Sequence, residues 1–172
     1  MVIFYLLLSF IISTSAIAAN LPIDRIQLPP GFSISIYSAE VPGARSLKLG
    51  KDGTVYVSTR SHGNIYALLP NEDSTKAKQV KLIASDLELP NGIAYKDGSL
   101  YVAEMTRILR YDNIDDLENI SKPKIIRDDL PNKTHHGWRY IDIGPDDKLY
   151  ISIGVPCNIC LPEGDPRFAT IS

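Results

Sequence analysis

The chain has 172 residues, 44% apolar and 22% charged, proportions that exclude a disordered or fibrous class. Its 18 basic and 20 acidic residues leave a net charge of −2, so no basic surplus exists to hold nucleic acid or an anionic membrane surface.

The first nineteen residues differ from everything after them. Val2 to Ile12 is apolar apart from Ser9, and the chain then turns to small residues as far as Ala19. The apolar stretch is short for a transmembrane span, and Ala16-Ile17-Ala18 fits the small-x-small pattern of a cleavage site. The expectation is a signal peptide over 1–19, a mature start near Ala19 or Asn20, and export to the periplasm or the outside; an uncleaved N-terminal anchor is the alternative. No later stretch is apolar enough to span a bilayer.

Residues 20–172 carry one pattern three times. The first copy opens at Arg45, runs through Leu47-Lys48-Leu49 and Asp52-Gly53, and continues into Val55-Tyr56-Val57. Each copy is a short alternating run, a turn and a second run centred on tyrosine, which is the grammar of a β-hairpin. Asp-Gly supplies the positive backbone dihedrals that a tight turn needs. A further run at Asn64–Leu69 is a candidate outer strand for this unit. The second copy starts at Asn91 and passes through Ile93-Ala94-Tyr95, Asp97-Gly98 and Leu100-Tyr101-Val102, with Arg107–Tyr111 as its candidate outer strand. The charged stretch Asp112–Ser121 reads as a solvated connection. The third copy starts at Arg139 and has Asp147 where the others have glycine; aspartate tolerates the left-handed region at modest cost. Beyond it, Cys157 and Cys160 are the only cysteines. An oxidising compartment favours a local disulfide between them, with free thiols, or redox or metal chemistry, as alternatives.

From Asp52 to Asp97 is 45 residues, and from Asp97 to Asp146 is 49. Such periods suit four-stranded blades, so the fold class is all-β and the architecture a β-propeller with about three blades in this chain. Three is fewer than the four to eight that close a ring, and the chain is expected to stop before the propeller is complete, folding poorly and lacking activity by itself. Superposed, the strand starts place Arg45, Asn91 and Arg139 in equivalent positions. If they ring a channel mouth, two guanidiniums and an amide face any ligand there.

His135-His136-Gly137-Trp138-Arg139, the Gly144-Pro145-Asp146 turn, the Gly154–Cys160 loop and Asp165-Pro166-Arg167-Phe168 together resemble the glucose/sorbosone dehydrogenase family. Leu89-Pro90-Asn91-Gly92 and Leu100–Glu104 extend that resemblance over most of the mature chain. It implies a six-bladed propeller that binds pyrroloquinoline quinone and calcium, oxidises an aldose or sugar aldehyde, and passes electrons to an external acceptor. It also implies a histidine at the start of a blade strand acting as general base, a role that suits imidazole because its pKa lies near neutrality. Two histidines compete for it. In extended backbone they cannot point the same way; an ungapped count from the Gly144 turn favours His136, and an inserted residue favours His135. Arg45, Asn91 and Arg139 become candidate cofactor contacts, since the quinone carries several carboxylates. No metal ligand is assigned, because Glu104 alone does not make a calcium site. A non-catalytic carbohydrate- or protein-binding propeller and a calcium-dependent lactonase-like hydrolase are the competing readings.

Overall fold

The computed structural model describes residues 21–160 and 164–172, and the leader expected over 1–19 lies outside them. Described residues up to Ser35 belong to one unit, in which Ile23–Arg25 makes a single 3₁₀ turn; those from Ile36 onward belong to a second unit, which carries every described strand.

The strands in chain order are β1 (Leu47–Leu49), β2 (Val55–Thr59), β3 (Asn64–Pro70), β4 (Ala77–Ala84), β5 (Ile93–Lys96), β6 (Ser99–Ala103), β7 (Ile108–Tyr111), β8 (Lys124–Arg127), β9 (Ile141–Ile143), β10 (Leu149–Ile153) and β11 (Thr170–Ile171). They form three antiparallel sheets in which each strand pairs with its neighbour in sequence: β1 to β4, β5 to β8, and β9 to β11. These are blades of a propeller, two with four strands and a third with three among the described residues. No described helix is long and apolar enough to cross a membrane.

The hairpin turns explain the local folding. Asp52 and Gly53 have φ of 54° and 77°, and Asp97 and Gly98 have 46° and 74°, the two consecutive left-handed residues of a type I′ turn. The third hairpin solves the problem differently. Only Asp147 is left-handed, at φ 65°, in a loop that the Gly144 N–H closes on the Lys148 carbonyl at 2.9 Å, as the Gly50 N–H closes the first on the Thr54 carbonyl at 2.8 Å.

Asn64–Leu69 and Arg107–Tyr111 are not the outer strands. They fall in β3 and β7, the third strands of their blades, and β4 and β8 lie outside them. An outermost strand needs backbone pairing on one side only and little core. Accordingly β4 carries Lys78, Gln79 and Lys81, and β8 is exposed along its whole length, so apolar alternation is faint in both.

The core lies between blades. Tyr56, Ile65 and Ala67 of the first blade pack against Ile93, Leu100, Val102 and Leu109 of the second, and Tyr56 stacks on Tyr95 with ring centroids 5.7 Å apart. The second blade turns Ala94, Ala103 and Ile108 the other way, against Ile141, Ile151 and Ile153 of the third. Alternation along β5 and β6 thus buries both faces of the middle blade. The inner strands of blades two and three approach closely at Gly92, where a Cβ would stand 2.6 Å from the Ile141 nitrogen. The Gly92 N–H donates to the Arg139 carbonyl at 2.8 Å, a backbone bond from one blade to the next.

Candidate functional site

The inner strands β1, β5 and β9 all begin at the end of the blades opposite their hairpin turns, and there the structure brings Arg45, Asn91 and Arg139 together. Arg45 Nε donates to Asn91 Oδ1 at 3.2 Å, and Asn91 Nδ2 donates to the Arg139 carbonyl at 2.9 Å. Ser58 Oγ donates to the Asn91 carbonyl at 2.6 Å. One hydrogen-bonded chain therefore crosses three blades.

The three side chains are not equivalent as ligand contacts, contrary to the expectation from their alignment. Asn91 is 7% exposed and both ends of its amide are occupied. Arg139 is 1% exposed; its Nε donates to the Met105 carbonyl at 3.1 Å and its Nη2 to the Pro131 carbonyl. Burial, with Arg167 nearby, lowers its pKa from the usual guanidinium value, and its Nη1 has no partner among the described residues. Arg139 is spent on the protein interior, where the Met105 and Pro131 carbonyls hold it. Only Arg45 keeps its guanidinium at the surface.

His135 and His136 do not lie in extended backbone. They sit in a turn five or more residues ahead of β9, and His136 is left-handed at φ 53°, so strand alternation does not separate them. Both are exposed, with ring centroids 4.0 Å apart. His136 Nδ1 lies 2.9 Å from the Val155 carbonyl oxygen. A carbonyl only accepts, so Nδ1 carries the proton, and in the neutral ring Nε2 is left as the acceptor. Gly154 allows this approach, since a Cβ there would come within 2.5 Å of the His136 carbonyl oxygen. The same loop continues into a Cys157–Cys160 disulfide with a Cα separation of 6.0 Å.

Two contacts link blade one to blade three without strand pairing. Arg60, just past the end of β2, holds its guanidinium carbon 3.8 Å from the ring centroid of Trp138. Three residues along from Arg45 and from Arg139, Lys48 Nζ pairs with Asp142 Oδ1 at 2.5 Å. Neither pair was legible as a contact, although Trp138 stands out as the single tryptophan. Glu104 is fully buried, paired with Arg107, and accepts the Glu88 N–H at 2.6 Å, so it braces a loop. Among the described residues no three His, Cys, Asp or Glu side chains converge on a metal position. A cleft of about 800 Å³ opens at the other end of blades one and two, lined by Lys51, Tyr95, Asp97, Asp115 and Asp116. It lies at the hairpin turns, away from the histidines.

No family model matches the chain. It is 28% identical over 167 residues to an uncharacterized protein of Borreliella burgdorferi, covering 89% of this chain and 42% of that protein. Among solved structures, the holo PQQ domain of pyranose dehydrogenase from Coprinopsis cinerea superposes with a TM-score of 0.63 at 15% identity, over 72% of this chain and 30% of that one. A Trichoderma reesei carbohydrate-active enzyme of family AA12, in a calcium structure, gives 0.59 at 15% identity, over 67% and 30%. The chain thus spans less than half the length of each. Its fold is that of the PQQ-domain propellers, of which it carries about three blades.

Proposed function

We propose that this chain forms the base-bearing part of a sugar-oxidising quinoprotein whose ring is completed by further blades. The observation that carries the reading is His136, held by its Nδ1–H on the Val155 carbonyl so that Nε2 remains an acceptor on an exposed loop. The donor set fits pyrroloquinoline quinone: Arg45 offers its guanidinium to carboxylates, and Arg60 holds its guanidinium over the Trp138 ring. When bound, the quinone supplies the two-electron acceptor for oxidation of an aldose or sugar aldehyde, and an external acceptor then takes the electrons onward. His136 Nε2 takes the proton of the anomeric hydroxyl, and the Val155 carbonyl stabilises the imidazolium that results. His135, whose ring lies against His136, braces it. The described residues offer calcium no ligand set, and the reading gives the ion no role here. An exported setting belongs to the same reading, supported by the Cys157–Cys160 bond.

The test uses the protein with its ring completed. Alanine at position 136 would add backbone strain, because His136 is left-handed; asparagine tolerates that region. His136→Asn should lower quinone-dependent turnover by about 100-fold or more, while quinone affinity measured by equilibrium dialysis changes little. A near-normal His136→Asn enzyme beside a crippled His135→Asn enzyme transfers the role to His135. Absence of any quinone-dependent sugar oxidation removes the reading.

A further inference from the structure

The Cys157–Cys160 bridge lies just beyond the Val155 carbonyl that holds His136. That carbonyl belongs to the peptide bond entering Pro156, so its direction depends on what fixes the chain on either side. Behind it, β10 ends at the buried Ile153, and Gly154 packs on His136 so closely that a Cβ would stand 2.5 Å from the His136 carbonyl oxygen. Ahead of it, Pro156 has no N–H to donate, and among the described residues no hydrogen bond is made by 156–160. The bridge is the tie that remains on that side. It is also within reach of an external thiol or disulfide, since Cys157 is half-buried, Cys160 is exposed and Ile159 between them is 97% exposed.

The partner of one ring nitrogen decides which nitrogen carries the proton. With the bridge closed, the Val155 carbonyl takes the Nδ1–H and Nε2 is an acceptor. With the bridge open, 156–160 gain freedom and the Val155 carbonyl turns away. An exposed imidazole released in this way puts its proton on Nε2, as a histidine free in water does, and Nε2 then cannot accept another while the ring is neutral. We propose that the Cys157–Cys160 bridge is a redox-controlled positioning element for His136: forming it selects the tautomer that can act as a base, and opening it withdraws that tautomer. The inference rests on the reading of His136 as the base and adds the regulation of that site. Arming is a two-electron oxidation by a disulfide donor. The exposed Cys160 thiolate attacks the donor's S–S bond and expels one sulfur as a thiolate; the Cys157 thiolate then attacks the Cys160 sulfur and expels the other. The two cysteine protons end on the donor, which leaves as two thiols. A reducing dithiol runs the same steps backwards.

The test reads the tautomer directly. The chain has 3 histidines, so nitrogen NMR of histidine-labelled protein resolves them, and the signal lost in His136→Asn is that of His136. In the oxidised chain it should report Nδ1–H. After dithiothreitol, two thiols should titrate without denaturant and the His136 signal should move to Nε2–H, while the His62 signal and strand amide protection stay as they were. Glutathione disulfide should restore the first spectrum. Cys157→Ser combined with Cys160→Ser should show Nε2–H with no reductant present, and it replaces the reduced protein as the readout if reduction unfolds the chain. In the protein with its ring completed, this double variant should lose about tenfold in quinone-dependent turnover, the effect of one missing hydrogen bond, with quinone affinity unchanged. Nδ1–H retained in both the reduced protein and the serine variant overturns the proposal, as does a bridge that dithiothreitol leaves closed in the folded chain. The two readings fail separately. A tautomer that follows the bridge in a protein without quinone-dependent oxidation leaves the switch standing without the base. A crippled His136→Asn enzyme beside a serine variant that keeps both tautomer and turnover leaves the base standing without the switch.

Discussion

Arg139 is a cation with no carboxylate partner, held in the interior by carbonyl oxygens. Its donors satisfy the buried Met105 and Pro131 carbonyls, and removing them leaves both acceptors unpaired at a cost that outweighs relief of the desolvated charge. Arg139→Met should therefore destabilise the chain by about 1–3 kcal/mol. The urea midpoint should fall at unchanged m-value, and an unaltered midpoint would mean that water or a local shift replaces the guanidinium. Asp165 presents the opposite case, a carboxylate held down by its partner. Arg167 donates to it from Nη2 at 2.6 Å, Nε at 2.9 Å and its backbone N–H at 3.0 Å, and these bonds lower the Asp165 pKa to about 2. The folded value lies below the unfolded one, about 4, so the pair stabilises fully above that pH and its contribution is lost as pH falls through about 2. Denaturation midpoints of Asp165→Asn should fall less steeply than wild type between those limits. Parallel curves would remove the pair from the acid response.

At the scale of elements, the contact between blades two and three depends on a missing side chain. Gly92 has no Cβ, and one built there would meet the Ile141 nitrogen, the Arg139 oxygen and the Tyr140 Cα at 2.6 to 2.8 Å. All three are backbone atoms and cannot rotate away. Gly92→Ala must push β5 from β9, straining the bonds from Gly92 and Asn91 to the Arg139 carbonyl. The expected cost is about 1–3 kcal/mol, with faster hydrogen exchange at Gly92 and at Ser152, whose N–H donates to the Tyr140 carbonyl. Wild-type protection at both amides would count against this packing. The Cys157–Cys160 bridge closes a very short loop, so its chain-entropy contribution is only about 2 kcal/mol. Its reduction should loosen the loop bearing Val155, and with it His136, more than the blades.

At the scale of the whole molecule, each end of the row of blades leaves apolar surface open. Leu47 and Leu49 of β1 are 64% and 65% exposed, and Tyr140 and Ile171 of the third blade are 56% and 73% exposed. Between blades, the same kinds of position make the core. Uncovered sheet faces of this kind favour association, so the isolated chain should sediment as concentration-dependent oligomers. Leu47→Lys combined with Leu49→Lys should shift it toward monomer. A wild-type chain that stays monomeric at every concentration would show that these faces are tolerated in water.

The number and kind of blades were legible in the sequence because they rest on local chemistry. Asp-Gly at 52–53 and 97–98 dictates turns, period-2 apolar runs dictate strands, and a repeat of 45 to 49 residues dictates blades. The edge strands β4 and β8 were not legible, because pairing on one side demands no apolar pattern. At the site, the alignment of Arg45, Asn91 and Arg139 correctly placed three strand starts in one cluster, while their roles were decided in three dimensions. Whether a guanidinium reaches solvent or turns inward depends on the carbonyls that the neighbouring blade presents, as Met105 and Pro131 do to Arg139. The tautomer of His136 likewise depends on Val155, 19 residues away, and the Arg60–Trp138 contact on two blades that no strand joins. Repetition along the chain determined the scaffold; only packing between the copies decided which equivalent positions became braces and which remained open to solvent.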